Sequence, residues 1–385
     1  MIMRLQKVVF AHDSNEFGGM ELYLLRLIKN LNQKRYSPAL LVPGYIGKNY
    51  ASPEQLIQEA QALGVPILKT DKPSNKFKLH SAKELLAVTR LLKQYQADVL
   101  HIHTCRPEGA RKVTLAAKLA GVQAIIRTEH MPPEVYMTST SRIGVKPFDW
   151  MTDKIVTGSD GDRKGQIQTL GRAANKVVCS HNSVEWEQFD PCHDVRAAKD
   201  HLGLDPNLPV VGTIGRFVEQ KGQIYLIQSI ASVIDQFGPV NLLLIGGGEL
   251  RPELQSQADH LGISQYVHFY GFQKDVRPFI YAMDIATMPS LYEVFSLSML
   301  EFMASGKAII ASDHSSFQEG LIHGQSGLLV QRKNSEALFD ALYFLLMNPE
   351  ERIRLGKNAL ERVRTHFGFD RLANDMMNLY DSILS

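Results

Sequence analysis

Ile285-Ala-Thr-Met-Pro289-Ser-Leu-Tyr-Glu293-Val-Phe-Ser-Leu-Ser-Met-Leu-Glu301-Phe-Met-Ala-Ser-Gly306 is the stretch that decides the fold. An apolar run, Ile285 to Met288, stops at Pro289. After a turn, apolar positions recur at helical spacing from about Phe295, with Leu297, Leu300 and Met303 on one face. A buried strand, a loop and an amphipathic helix in succession form one parallel βα repeat. The turn puts the amides of Phe295, Ser296 and Leu297 at a helix N-terminus, where unpaired N–H groups and the helix dipole favour an anion such as a diphosphate. Glu293 and Glu301, on either side, can accept hydrogen bonds from hydroxyls, which suits them to a sugar and a ribose respectively. Taken singly, each acid reads as an ordinary solvated residue. The apolar neighbours Leu297, Leu300, Phe302 and Met303 argue that Glu301 lies off a freely solvated face and needs partners.

The same rhythm runs from end to end. Short apolar runs at Val8–Ala11, Leu40–Val42, Val99–His103, Ala124–Thr128 and Ile155–Thr157 alternate with helical patterns such as Glu21–Leu31, Ala82–Tyr95 and Gly109–Ala120. The scheme repeats at Val210–Ile214, Leu242–Ile245, Val267–Phe269, Ile285–Met288 and Ala308–Ala311. Alternation of this kind predicts an α/β protein of two Rossmann-like, doubly wound parallel-sheet domains, whose strand ends border one cleft if the two face each other. With 385 residues the chain exceeds one ordinary core. We place an N-terminal domain at 1–187 and a C-terminal domain at 188–368, joined through the polar stretch Asn182–Pro209. The final helix, 369–385, has apolar positions at Leu372, Met376, Leu379, Tyr380 and Ile383 and is expected to pack back on the first domain. Residues 44–55 and 131–147 read as long loops.

Composition is that of a soluble globular protein, and no apolar run reaches the roughly 18 residues of a membrane span. The beginning enters a strand-like run without the pattern of a signal peptide, so the expected compartment is the cytoplasm. Cys105, Cys179 and Cys192 include no Cys-x-x-Cys pair and suggest neither a disulfide framework nor a structural zinc site. Residues 1–190 hold 26 Lys and Arg against 18 Asp and Glu, a net +8, leaving −6 for the remainder. A basic first half suits an anionic membrane surface at the inner face, with Lys72, Lys76, Lys78, Arg106, Arg111, Lys112 and Lys118 as candidates. Nucleic acid is disfavoured, because the basic runs lack interleaved aromatics and a recognition motif.

Chemistry-bearing residues gather at predicted strand ends, where ligands of such sheets bind. Val211-Gly-Thr-Ile-Gly215-Arg216 ends a strand, and Lys221-Gly222 follows before a helix. An Arg fork and a Lys point charge can converge on a diphosphate and neutralise the charge that develops as a sugar–phosphate bond breaks. Gly18-Gly19 opens a helix after strand one, letting backbone approach a ligand closely. Neither this turn nor Gly246-Gly-Gly248 has the spacing of a dinucleotide fingerprint, which excludes a Rossmann dehydrogenase. His101 and His103 share one strand face, and His130 ends another strand. His101 reads as structural and His130 as a group that hydrogen-bonds a sugar hydroxyl or a leaving group. A zinc site is disfavoured for want of a third ligand at suitable spacing.

Together, Gly18-Gly19-Met20-Glu21, His101-Ile102-His103, Thr128-Glu129-His130, His181-Asn182-Ser183-Val184 leading to Phe189, Gly215-Arg216 to Lys221-Gly222, Phe269-Tyr270-Gly271 and Glu293 to Glu301 resemble the family 4 retaining glycosyltransferases of the GT-B fold. The motifs occur in the family's order over nearly the whole chain. The resemblance implies transfer of a sugar from a nucleotide diphosphate donor with retained configuration and no required metal or other cofactor. It implies that Arg216 and Lys221 hold the diphosphate, Glu293 the donor sugar, Glu301 the ribose, and the loop residues Val294, Phe295, Ser296 and Leu297 the phosphate. Gly18 and Gly19 would sit near diphosphate and sugar, Phe272 would border the base, and His130 would lie near the reacting sugar. Among these, His130, Glu293, Arg216 and Lys221 would carry the reaction. A UDP-sugar is expected over a GDP-sugar, with a lipid-linked, polysaccharide or small-molecule acceptor in cell-envelope polysaccharide synthesis. Val294-Phe295-Ser296 stands where many members have Gly-Phe-Gly, Ser183 replaces a frequent Gly and Glu185 a frequent Asp. An epimerase-like enzyme of the same architecture, or an idle nucleotide-sugar scaffold, are the other readings of these residues.

Overall fold

The computed structural model describes residues 4–12, 18–42, 51–69, 82–105, 110–131 and 146–385. Lys72, Lys76, Lys78 and Arg106 fall outside these residues, as do 44–50 and 132–145 of the segments read as loops. Residues 51–55 are not loop but the start of the helix Ala51–Ala62. Pro53 misleads the reading because it falls in the first turn, where a missing N–H costs nothing.

In one unit, Met1–Asn182 with Phe369–Ser385, the strands are β1 Gln6–His12, β2 Tyr36–Val42, β3 Ile67–Lys69, β4 Val99–Thr104, β5 Ala124–Glu129, β6 Lys154–Thr157 and β7 Val177–Cys179. They form a seven-stranded parallel sheet in the order β3-β2-β1-β4-β5-β6-β7. Side chains alternate between its faces. Val8, Phe10, Leu40, Val99 and Ile126 pack under the helices Gly19–Asn30 and Phe369–Leu384. Val9, Leu41, Leu100 and Ile125 pack under Ala82–Tyr95 and Arg111–Ala120. Leu372, Met376 and Tyr380 bring the last helix onto the first of these faces.

The other unit, Ser183–Gly368, holds β8 Val210–Ile214, β9 Asn241–Ile245, β10 Val267–Tyr270, β11 Ile285–Met288, β12 Ala308–Ser312 and β13 Leu328–Val330. Its six-stranded parallel sheet has the order β10-β9-β8-β11-β12-β13. Val211, Leu242, Leu244 and Ile310 face the helices Gln223–Gln236 and Ser335–Met347, while Leu243, Ala286, Met288 and Ile309 face Leu297–Ala304 and Pro349–His366.

The units divide at Asn182 and Gly368 rather than at 187. The stretch taken for a linker belongs to the second unit: Val184, Phe189 and Leu204 are buried in its core, and Val184 N donates to Phe367 O at 2.9 Å. One bridge and a seven-residue helix, Val195–His201, are too short to leave a pattern in the sequence. Among the described residues no helix is long and apolar enough to cross a membrane.

A buried ionic cluster stands beside β5. Arg127, fully buried, donates through Nε to Glu129 Oε1 at 2.7 Å and through Nη2 to Asp149. Arg172 grips the same two acids, with Nη1 to Glu129 Oε2 and Nε to Asp149 Oδ2, both at 2.8 Å. Two cations and two anions balance, which is the condition for burying any of them. Burial alone would raise the Glu129 carboxyl, but Arg172 and Arg127 more than reverse this and hold it well below the usual carboxylate range. A depressed carboxyl contributes stability above its unfolded titration range and loses it as pH falls. Arg172→Ala is therefore expected to cost about 3–5 kcal/mol in urea unfolding at neutral pH. It should also flatten the loss of stability that the native protein shows on acidification below the ordinary Glu range.

Candidate functional site

In the second unit the chain runs from β8 outward to β10 and then returns to β11 on the other side of β8. The carboxyl ends of β8 and β11 are thus a point where the winding reverses, the usual place for a ligand in an open α/β sheet. The loop 215–222 leaves one strand end and the turn 289–296 leaves the other. Leu291 N donates to Gln220 O at 2.7 Å and Gln220 Nε2 to Tyr292 O at 3.1 Å, so the two are locked together. Lys221 Nζ forms an ion pair with Glu293 Oε1, which also accepts from Ser290 Oγ at 3.1 Å. Glu293 is only 9% exposed, whereas Arg216 is open to solvent. Lys221 and Glu293 are therefore brought together, with Arg216 five residues earlier on the same loop.

Backbone close approach shapes this loop. Gly222 lies at φ +63°, and a Cβ there would stand 2.2 Å from Pro289 O. Gly246, at φ +141°, would place a Cβ 2.1 Å from Gly215 O. The Gly246-Gly-Gly248 segment, excluded above as a dinucleotide fingerprint, instead buttresses the Arg216 loop: Phe217 N donates to Gly247 O at 2.8 Å and Leu250 N to Phe217 O at 3.0 Å. Three glycines at a strand end signalled close backbone approach, but not that the neighbour is the chain itself.

The helix after Glu293 spans Leu297–Ala304, beginning two residues later than spacing suggested. Ser296 is its N-cap, and its side chain accepts from Met299 N at 3.5 Å, a role that a glycine could not fill. Of the amides expected at the helix start, only that of Leu297 lies inside it; Phe295 and Val294 precede the cap, and Phe295 is buried against Phe367 with ring centroids 5.2 Å apart. The apolar ring of Phe295 fits the helical spacing by serving the core under the turn. Glu301 is half-buried on this helix. Phe272, 69% exposed, follows the end of β10.

In the first unit the winding reverses between β1 and β4. Gly18 caps the helix Gly19–Asn30, and its N donates to Glu21 Oε2 at 2.9 Å. His101 is structural: Nδ1 lies 2.7 Å from Tyr380 Oη and Nε2 2.7 Å from Thr128 Oγ1, so both nitrogens are engaged within the protein. His130 N donates to Thr104 O at 2.9 Å, and its Nε2 lies 3.1 Å from His103 Nδ1. Burial pushes His130 down to about 4, against the opposing pull of Glu21 and Glu129, and leaves it a neutral donor and acceptor at neutral pH. The sequence reading missed Ser290, Gln220, Glu21 and His103 as supports, since each acts through another residue.

A family model described as Glycosyltransferase Family 4 matches residues 17–188, and one described as Glycosyl transferases group 1 matches 194–362. A D-inositol 3-phosphate glycosyltransferase of Corynebacterium urealyticum is 31% identical over 242 residues, covering 60% of this chain and 57% of that protein. A phosphatidyl-myo-inositol mannosyltransferase of Mycobacterium leprae is 26% identical over 372 residues, covering 95% and 93% of the two chains. The crystal structure of Anabaena HepE in complex with UDP and glucose superposes with a TM-score of 0.83 at 20% identity, covering 98% of this chain and all of that one. Two parallel α/β sheets, wound in the same manner and each matched by its own half of the motif set, place the chain in its family: it belongs to the family 4 glycosyltransferases of the GT-B fold.

Proposed function

We propose that the protein transfers a hexose from a nucleotide diphosphate sugar to a lipid-linked, polysaccharide or small-molecule acceptor, with retained anomeric configuration and without a required metal ion. The observation that carries this reading is the Lys221–Glu293 pair, set with Arg216 at the reversal between β8 and β11. Breaking the sugar–phosphate bond leaves extra negative charge on the diphosphate. Arg216 and Lys221, with the Leu297 amide at the helix start, would offset it from fixed positions that need little rearrangement as the bond breaks. Glu293 would hold hydroxyls of the donor sugar and Glu301 those of the ribose, and Phe272 would border the base. Gly18, Gly19 and His130 of the first unit would serve the reacting end of the donor. In a front-face reaction the leaving phosphate oxygen takes the acceptor proton, so no side chain need act as general base.

The name of the Mycobacterium leprae relative supports a lipid acceptor, and the ligands of HepE support a UDP-sugar. With its basic first half the protein would work peripherally at an anionic inner membrane face; of the candidates for that contact, Arg111, Lys112 and Lys118 are on the helix Arg111–Ala120 or at its start.

Two measurements test this reading. Glu293→Gln and Lys221→Met, which nearly keep side-chain volume, are each expected to lower donor turnover by about 100-fold or more, and a double-mutant cycle should find the two losses far from additive. Variants that turn over at native rates remove the site assignment. In a thermal-shift comparison, UDP at about 100 times its Kd is expected to add about 2.7 kcal/mol of stability, equally with magnesium and with a chelator. A larger shift with GDP would reassign the base, and a shift that appears only with magnesium would overturn the metal-independent mechanism.

A further inference from the structure

His12 and His103 are cross-strand neighbours at the ends of β1 and β4. Glu21 and Tyr23 reach them from the first turns of the helix Gly19–Asn30: Glu21 Oε1 stands 3.6 Å from His12 Nδ1, and the Tyr23 ring centroid is 5.5 Å from that of His103. All four side chains are buried, none more than 4% exposed. At 3.6 Å the carboxylate and the imidazole are too far apart for a direct hydrogen bond. Among the described residues, Glu21 Oε1, both nitrogens of His12 and His103 Nε2 have no hydrogen-bond partner. One such atom is an ordinary exception, but each carries the full desolvation cost of its group. Four on three adjoining side chains call for a shared polar guest, and water is the guest whose two to four hydrogen bonds suit so buried a group.

The opposite nitrogen of His103 shows what this group supports. Its Nδ1 lies 3.1 Å from His130 Nε2, and the two ring planes are inclined by 24°. Two neutral imidazoles share one hydrogen bond only when one donates and the other accepts. The tautomer of His103 therefore dictates whether Nδ1 of His130 offers a hydrogen or a lone pair. Rotation of His103 is restrained on its far side by His101, at a centroid distance of 4.4 Å and itself held by Tyr380 and Thr128. Burial keeps His103 well below the ordinary imidazole range, so neither member of the pair is charged at neutral pH.

We propose that His103, backed by an enclosed water held between His12 and Glu21, is a positioning residue that fixes a single tautomer of His130 for reaction with the nucleotide sugar. This rests on the assignment of His130 to the reacting sugar, and the test separates the two. Release of nucleoside diphosphate is measured with UDP-glucose, UDP-galactose, UDP-N-acetylglucosamine and GDP-mannose, and the fastest donor is kept. His103→Phe retains a ring but not the hydrogen bond; kcat is expected to fall about 10- to 100-fold with little change in donor KM, the scale for losing a group that orients a histidine. His103→Asn, whose amide stands where Nδ1 stood, restores much of the rate. Nitrogen NMR shows one tautomer of His130 in the native protein and both in His103→Phe. Native kcat in His103→Phe alongside a crippled His130→Ala overturns the proposal, as do two His130 tautomers in the native protein, a result that needs no variant to fold. Native kcat in His130→Ala instead strikes the underlying assignment, and the tautomer spectra then decide whether His103 orders His130 at all.

Discussion

The reversal of winding between β8 and β11 is the constraint on which the candidate site depends. β8 sends its crossover toward β9 and β11 sends its own toward β12, so the connections part and no crossover helix covers the two strand ends. Loop backbone left in such a place must find its own hydrogen bonds. Here it finds them across the gap, from Leu291 to Gln220 and from Gln220 to Tyr292, which fixes the loops on each other with no ligand needed. The glycines at 222 and 246 follow from that closeness, because any side chain there would enter a neighbouring carbonyl. Preorganisation of Lys221 and Glu293 is thus a consequence of strand order more than of their own chemistry.

The first unit meets the same topology with opposite means. At its reversal, between β1 and β4, the described residues His12, His101, His103, Tyr23 and Glu21 are buried. In the second unit Arg216 and Lys221 keep contact with solvent, which moderates the cost of holding two cations near each other. Imidazoles are the cheaper choice inside, since a neutral ring asks for hydrogen bonds but not for a counter-charge. One reversal therefore presents charge and the other presents directed donors and acceptors.

Ten of the thirteen strands among the described residues can be read in the sequence as apolar runs, and the three that escape, β3, β7 and β13, are three-residue edge pieces. Three residues are too few to show a pattern. The helix start at Leu297 was misplaced for a related reason: Phe295 is apolar because it packs under the turn, and spacing alone does not separate that from a helical face. Lys221 and Glu293 were legible because both flank strand ends within recognisable βα units. Arg127, Asp149 and Arg172 carry no such mark, for they are brought together from distant points of the chain. Ala124-Ile-Ile-Arg-Thr-Glu129 held the one hint, two charges in a strand that the sheet buries on both faces.

That strand end explains how a polar segment survives at the centre of a parallel sheet. Thr128 bonds His101, Glu129 bonds both arginines, and His130 bonds His103, so three consecutive side chains are each fixed by a different partner. Alternation sends Glu129 to one face and Thr128 to the other, and neither group competes for the other's partners. The charges of Glu129 and Arg127 lie on the side where Arg172 and Asp149 balance them, and the imidazoles of His101 and His103 occupy the side that leads to His130. The partners of these three side chains, His101, Arg127, Arg172 and His103, are all buried. Rigidity at this position is therefore built by the surrounding side chains, and the ionic cluster serves the histidine through the backbone they share.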